Sequence, residues 1–214
     1  MLIQGQVGPA AVQSLSSGTN PTVRLGQLGD LVVSELHGRY YEQAYRGSVF
    51  SLSVSTAAAI TAYVGAAAGQ PQIAIYNPVG SGKNLAILQA SYNNVVAASA
   101  AGTVAWGIWF GPTVAPTAAT NAVATNMATL QKAGSVASAW TNTALTSSTA
   151  LVNQYPVGYY WWATAAGATG PSMNLLDVGG SIIVPPGTMV ALGGSAALTS
   201  ATWTGNLTWE EVPI

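Results

Sequence analysis

The chain has no cysteine and a single histidine, His37. That excludes a disulfide framework, a thiolate metal site and a cysteine nucleophile, and leaves no basis for a histidine-rich zinc centre. Charge is almost as scarce, with five Lys or Arg against six Asp or Glu in 214 residues and a formal net charge of −1. Only Arg24, Arg39, Arg46, Lys83 and Lys132 are available to meet phosphates. That is too few for a nucleic-acid footprint, which concentrates basic residues on one face. Long apolar runs are missing as well. The best candidate, AAAITAYVGAAA at residues 57–68, falls short of the roughly 18–20 apolar residues a spanning helix needs. The opening MLIQGQVGPAAV lacks the basic region and continuous apolar core of a signal peptide, so synthesis in the cytoplasm is expected.

What charge there is lies in one place. Residues 23–50, VRLGQLGDLVVSELHGRYYEQAYRGSVF, hold Arg24, Asp30, Glu35, His37, Arg39, Glu42 and Arg46. Charges this scarce and this confined point to a segment that finds a partner surface, and Arg24, Glu35, His37, Arg39, Tyr40, Tyr41, Glu42 and Arg46 are the candidate interface residues. The alternative is a solvated face on which Glu35, Arg39, Glu42 and Arg46 pair internally. The local structure is ambiguous. Val32, Leu36 and Tyr40 fall at helical spacing, whereas the β-branched and tyrosine content and Gly38 favour an extended or irregular course. Residues 1–22, broken by Gly5, Gly8-Pro9 and Asn20-Pro21, read as an extended arm.

From residue 48 the pattern is β. Phe50, Leu52 and Val54 alternate with serines, QIAIY at 72–76 is a second run, and residues 83–96 a third. In the third, Leu85 and Ile87 are followed by Leu88, Ala90 and Tyr92, a face switch that points to a bulge or a bend. TVAWGIWF (103–110), VGYYWWA (157–163), 173–178, 181–184, 188–192 and 201–212 complete the set. IIVPPGTMV is a strand–turn–strand signature. In the last run Trp203, Gly205, Leu207 and Trp209 share one face and Thr202, Thr204, Asn206 and Thr208 the other. Residues 111–151, rich in Ala, Thr, Asn and Ser, read as long loops with short strands at 136–140 and 150–153. The expectation is an all-β, jelly-roll-like antiparallel β-sandwich over residues 48–214, with an extended N-terminal arm and docking segment over 1–47.

The catalytic and ligand motifs do not assemble. NPVGSGKN at 77–84 resembles a phosphate loop but has Asn77 where the first glycine belongs and Asn84 where Ser or Thr would hold magnesium. It reads instead as a glycine-rich hairpin turn, with Lys83 exposed or contacting a partner. His37 beside Glu35 and Glu42 has no positioned partner that sequence can supply. Asp177, Glu210 and Glu211 do not make a glycosidase pair, because adjacent Glu210 and Glu211 point to opposite faces of a strand. No enzyme, cofactor or metal is expected. The seven tryptophans are assigned mainly to the core, with one of Trp161 and Trp162 turned outward toward a neighbouring subunit.

The segment GQLGDLVVSELHGRYYEQAYRGSVF, then IYNPVGSGKNLAILQ, and the ending SIIVPPGTMVALGG…TWTGNLTWEEVPI resemble small structural proteins of tailed bacteriophages, and more narrowly their jelly-roll head decoration (cement) proteins. The resemblance implies a virion protein on the outer capsid surface. Its arm would lie on the major capsid protein and its jelly roll would project outward, as a homotrimer, without nucleic-acid or membrane contacts. The reading from another class is a tail or head-fibre module that binds host-surface glycans, with aromatic residues and the 111–151 loops at its tip.

Overall fold

The computed structural model describes residues 5–7, 23–25, 38–60, 62–63, 65, 68–96, 102–119, 121–147, 149–162, 173–195 and 198–214. The chain divides into two units, Met1–Tyr41 and Glu42–Ile214. In the first, β1 (Gly5–Val7) and β2 (Val23–Leu25) form a two-stranded parallel pair, so these parts of the expected extended arm are paired with each other. The segment expected to be extended then contains a short helix, α1 (Tyr41–Tyr45). Its single turn is closed by the Arg46 amide on the Glu42 carbonyl at 3.0 Å and ended by Gly47 at φ +73°.

The second unit is a β-sandwich. Its strands are β3 (Val49–Ile60), β4 (Ala68–Gly69), β5 (Ile73–Asn77), β6 (Lys83–Val96), β7 (Gly102–Pro112), β8 (Thr125–Asn126), β9 (Ser138–Thr141), β10 (Leu145–Thr146), β11 (Asn153–Trp162), β12 (Met173–Val184), β13 (Thr188–Gly194) and β14 (Leu198–Pro213). One sheet runs β12-β6-β14-β3-β8 and the other β11-β7-β13-β5-β9; every pairing within them is antiparallel. Set aside the short strands and number the rest one to eight along the chain. Strands 1, 8, 3 and 6 then lie side by side in one sheet, and strands 2, 7, 4 and 5 in the other. That is jelly-roll order, two interlocked Greek keys.

Period-two alternation places the core between the sheets. Phe50, Leu52 and Val54 of β3, Trp203, Leu207 and Trp209 of β14, and Tyr92 of β6 meet Trp106 and Ile108 of β7 and Val190 and Leu192 of β13. Tyr92 stacks on Trp106 at 4.6 Å between ring centroids, and Trp203 lies 5.2 Å from Trp106. The face switch in β6 is a bulge: Gln89 pairs with Thr208 and Ile87 with Trp209, leaving Leu88 as the extra residue. Residues 173–184 form one strand rather than two, interrupted between Asp177 and Ile182.

The β5 sheet is buried on both faces, which is why β5 and β13 read as near-continuous apolar runs. Its outer face carries Ala74, Tyr76, Trp109, Trp140, Met189 and Ala191, covered by Tyr63, Leu145 and Leu151. The loop-rich region is therefore a cover. It adds β8 to one sheet and β9 to the other, and Trp140 Nε1 donates to the carbonyls of Ala118 and Ala119. The strand expected at 136–140 is β9, at 138–141; the one expected at 150–153 is absent, since β11 begins at Asn153.

Candidate docking surface at the charged end of the sandwich

One end of the sandwich is built from the β5–β6 turn, the β12–β13 turn, the last residues of β7 and β14, and the first of β3. Asn77, fully buried, joins the sheets there: its Nδ2 donates to the carbonyls of Lys83 and Val184, both at 2.8 Å. Gly187, at φ +82°, takes the left-handed position that the Pro185-Pro186-Gly187 turn requires, and its amide donates to Asn77 O. The Ile214 amide donates to Gly82 O, so the final residue is tied to the same turn. Residues 77–84 thus connect two strands, which a phosphate loop does not, but they are not the expected hairpin turn: β5 and β6 belong to different sheets, and the turn crosses from one to the other.

The ionised side chains of Glu42–Ile214 are Glu42, Arg46, Lys83, Lys132, Asp177, Glu210 and Glu211. Glu42, Arg46, Lys83, Glu210 and Glu211 belong to this end or to the segment that leads into it, whereas Lys132 lies in the β8–β9 loop and Asp177 in β12. Glu211, only 2% exposed, is the centre of the group. Lys83 Nζ donates to its Oε2 at 2.8 Å, and Ser135 Oγ and the Val136 amide donate to its Oε1 at 2.7 and 2.9 Å. Lys83, expected to be exposed or to meet a partner, thus has its partner inside the chain. Sequence reading missed this cluster because its members are 128 and 76 residues apart. Glu210 faces the other way, in register between Val49 and Ala86, and burial there pushes its carboxyl above the ordinary value.

Of the expected interface residues, Arg24 lies in β2, and Glu35 and His37 fall outside the described residues. Arg39 and Tyr40 are brought together, the guanidinium 5.2 Å from the ring centroid. Tyr41 and Tyr45 are exposed on α1. Glu42 and Arg46 form an i,i+4 ion pair at 2.7 Å, both well exposed, which is the solvated-pair geometry and contributes little to stability.

Large apolar side chains are exposed at the same end. Val79 (79%), Val152 (81%), Ile214 (76%), Val114 and Ile183 stand out of the surface. A shallow groove of about 480 Å³ runs between Pro112–Val114, Thr149–Val152 and Gly187. Five tryptophans, Trp106, Trp109, Trp140, Trp203 and Trp209, are buried; the side chains of Trp161 and Trp162 lie outside the described set. Among the described residues no group of three or more His, Asp or Glu is placed to hold a metal ion, and no helix is long and apolar enough to cross a membrane. No family model, curated protein or solved structure matches the chain.

Proposed function

We propose that this protein is a bacteriophage virion structural protein, a decoration or cement protein that binds the outer head surface and stabilises contacts between capsomers. The observation that carries the reading is the segregation of charge. Five of the seven ionisable side chains of Glu42–Ile214, namely Glu42, Arg46, Lys83, Glu210 and Glu211, belong to one end or to the segment that leads into it, where Val79, Val152 and Ile214 are also exposed, while Lys132 lies in the groove beside β3 and Asp177 in β12. In sequence this end follows directly from the charged segment 23–46. Apolar anchors within a polar, partly charged rim are the anatomy of a protein–protein interface. The major capsid protein is the partner, the sandwich projects outward as a homotrimer, and repeated copies supply avidity, so that each contact is weak alone.

The test is co-sedimentation of the recombinant chain with phage heads stripped of their decoration. The wild-type chain is expected to pellet with heads and to raise their resistance to heat. R39E/R46E and V79D/I214D are each expected to lose binding while keeping the β-type circular dichroism of the parent. Binding by both variants at the parental level would sink the assignment. A second reading, a fibre module for host-surface glycans, has one feature in its favour. On the outer face of the β5 sheet, β11 carries the exposed Tyr159 and Gln154, whose side chain lies across Gly107. Binding to host cells instead of heads would assign the protein to that class.

A further inference from the structure

The sheet containing β3 ends abruptly. β3 is twelve residues long, yet among the described residues its outer side is paired only at its start, with β8 at Phe50 and Ser51 and through the Met127 amide to Val49 O. The chain leading into β8 belongs elsewhere: Ala122 is bridged to Ala139 of β9 in the other sheet, and Ala124 is buried in the core. Residues 121–126 thus cross from one sheet edge to the other. Beyond Ser51 the place beside β3 is a groove of about 660 Å³.

Three features define what fits there. First, the Met127 amide donates to Val49 O on the outer side, while the Glu211 amide donates to Ser48 O on the β14 side. Odd-numbered residues of β3 therefore turn their backbone groups outward as far as the register with β14 is unbroken, which is to Val54, so the N–H and C=O of Ser53 face the groove. Second, the opposite wall exposes Val123, Met127 and Leu130. Leu130 is 73% exposed and held at φ 58°, a backbone conformation that a leucine adopts at a cost. Third, the groove's charge is Lys132. Arg46 and Lys83 have carboxylate partners, whereas among the described residues of Glu42–Ile214 Lys132 has none.

We propose that this groove is a strand-addition site for an extended, acidic peptide segment of a partner protein. A backbone running antiparallel to β3, in line with β8, presents a C=O and an N–H at every second residue, the repeat that β3 continues from Ser51, opposite Thr125 of β8, to Ser53. Its side chains on one face pack on Val123, Met127 and Leu130, and a carboxylate meets Lys132. A saccharide matches the hydroxyls and the cation but not the two-residue backbone repeat. The inference stands on this edge alone and does not depend on docking to phage heads.

The test uses a fluorescein-labelled octapeptide alternating valine and aspartate, read by anisotropy on the full chain and by amide hydrogen exchange. Binding is expected to slow exchange at Ser53, and K132E is expected to weaken it about tenfold or more. A valine–lysine peptide should reverse that preference, favouring K132E over the parent. The proposal is overturned if the peptide fails to bind at about 1 mM. It is equally overturned if N-methylation of alternate peptide amides leaves affinity unchanged, because no strand is then added. Displacement of the peptide by an acidic oligosaccharide assigns the groove to glycans. Self-association of the protein that K132E abolishes assigns it to a second copy of this chain.

Discussion

At the scale of single residues, the sandwich depends on a few polar groups placed where water does not reach. Glu211 occupies a core-facing position of β14, the next inward place after Trp209, and is tolerated because three donors converge on it. Breaking such a group leaves donors or a charge uncompensated. E211A is expected to cost about 2–3 kcal/mol, with the value held down by the partial exposure of Lys83, and E211Q distinctly less. Urea unfolding followed by tryptophan fluorescence checks both. Nothing in the local sequence announces the cluster, because Lys83, Ser135 and Glu211 come together only through pairing of distant strands. Tyr63 and Tyr92 behave differently. Their hydroxyls are buried without a hydrogen-bond partner among the described residues, and burial pushes both up to about 12. An unfolded tyrosine ionises near 10, so the folded state holds these protons more tightly than the unfolded state does. Their contribution is fully present below about pH 10 and is lost as pH rises through about 12. Absorbance at the tyrosinate band should show these two residues titrating last, with loss of the fold over the same window.

At the scale of elements, what could be read from sequence was whatever had a local period. The alternation in β3 and β14, the turn at Pro185–Gly187 and the bulge at Leu88 all leave marks within a few residues, and each is found where those marks lie. The helix α1 was not legible, since five residues give no period and its turn is closed by one backbone bond, from the Arg46 amide to Glu42 O, and ended by Gly47. Of the expected docking residues, Arg39 meets its neighbour Tyr40 and Glu42 pairs with Arg46 one turn on, contacts between residues close in the chain. The 111–151 region was illegible for a different reason: its small side chains specify little locally, and its path is fixed by where they land. Trp140 shows this, donating to two cover carbonyls while its ring fills the outer layer of the β5 sheet. W140A is therefore expected to cost about 3–5 kcal/mol and to loosen the cover without dissolving the inner core. Hydrogen exchange should show new opening in residues 113–151 while β6 and β14 remain protected. Equal loosening of both layers would mean that the cover and core form one cooperative layer.

For the molecule as a whole, jelly-roll order decides when the fold becomes possible. β14 is made last, yet it lies inside its sheet, between β6 and β3, and brings Trp203, Leu207 and Trp209 to the core. β3, the first long strand, reaches its partner only after some 150 intervening residues, as in the pairing of Phe50 with Trp209. Pairings of this range delay folding, because loop closure must precede any return from contact. Refolding from urea is thus expected over milliseconds to seconds or slower, with most of the tryptophan signal arriving together. A chain truncated after Ala197 is expected to lack the sandwich altogether, since neither β3 nor β6 then has its central neighbour. Circular dichroism and tryptophan emission on that truncation decide the matter: a native-like β spectrum with buried tryptophans would show that the remaining strands close a sandwich without β14. The same arrangement bears on docking. Ile214 takes its position beside the turn that carries Val79 only when β14 is seated, its amide donating to Gly82 O. The exposed apolar end therefore exists only on a completed fold, and a partly folded chain does not present it.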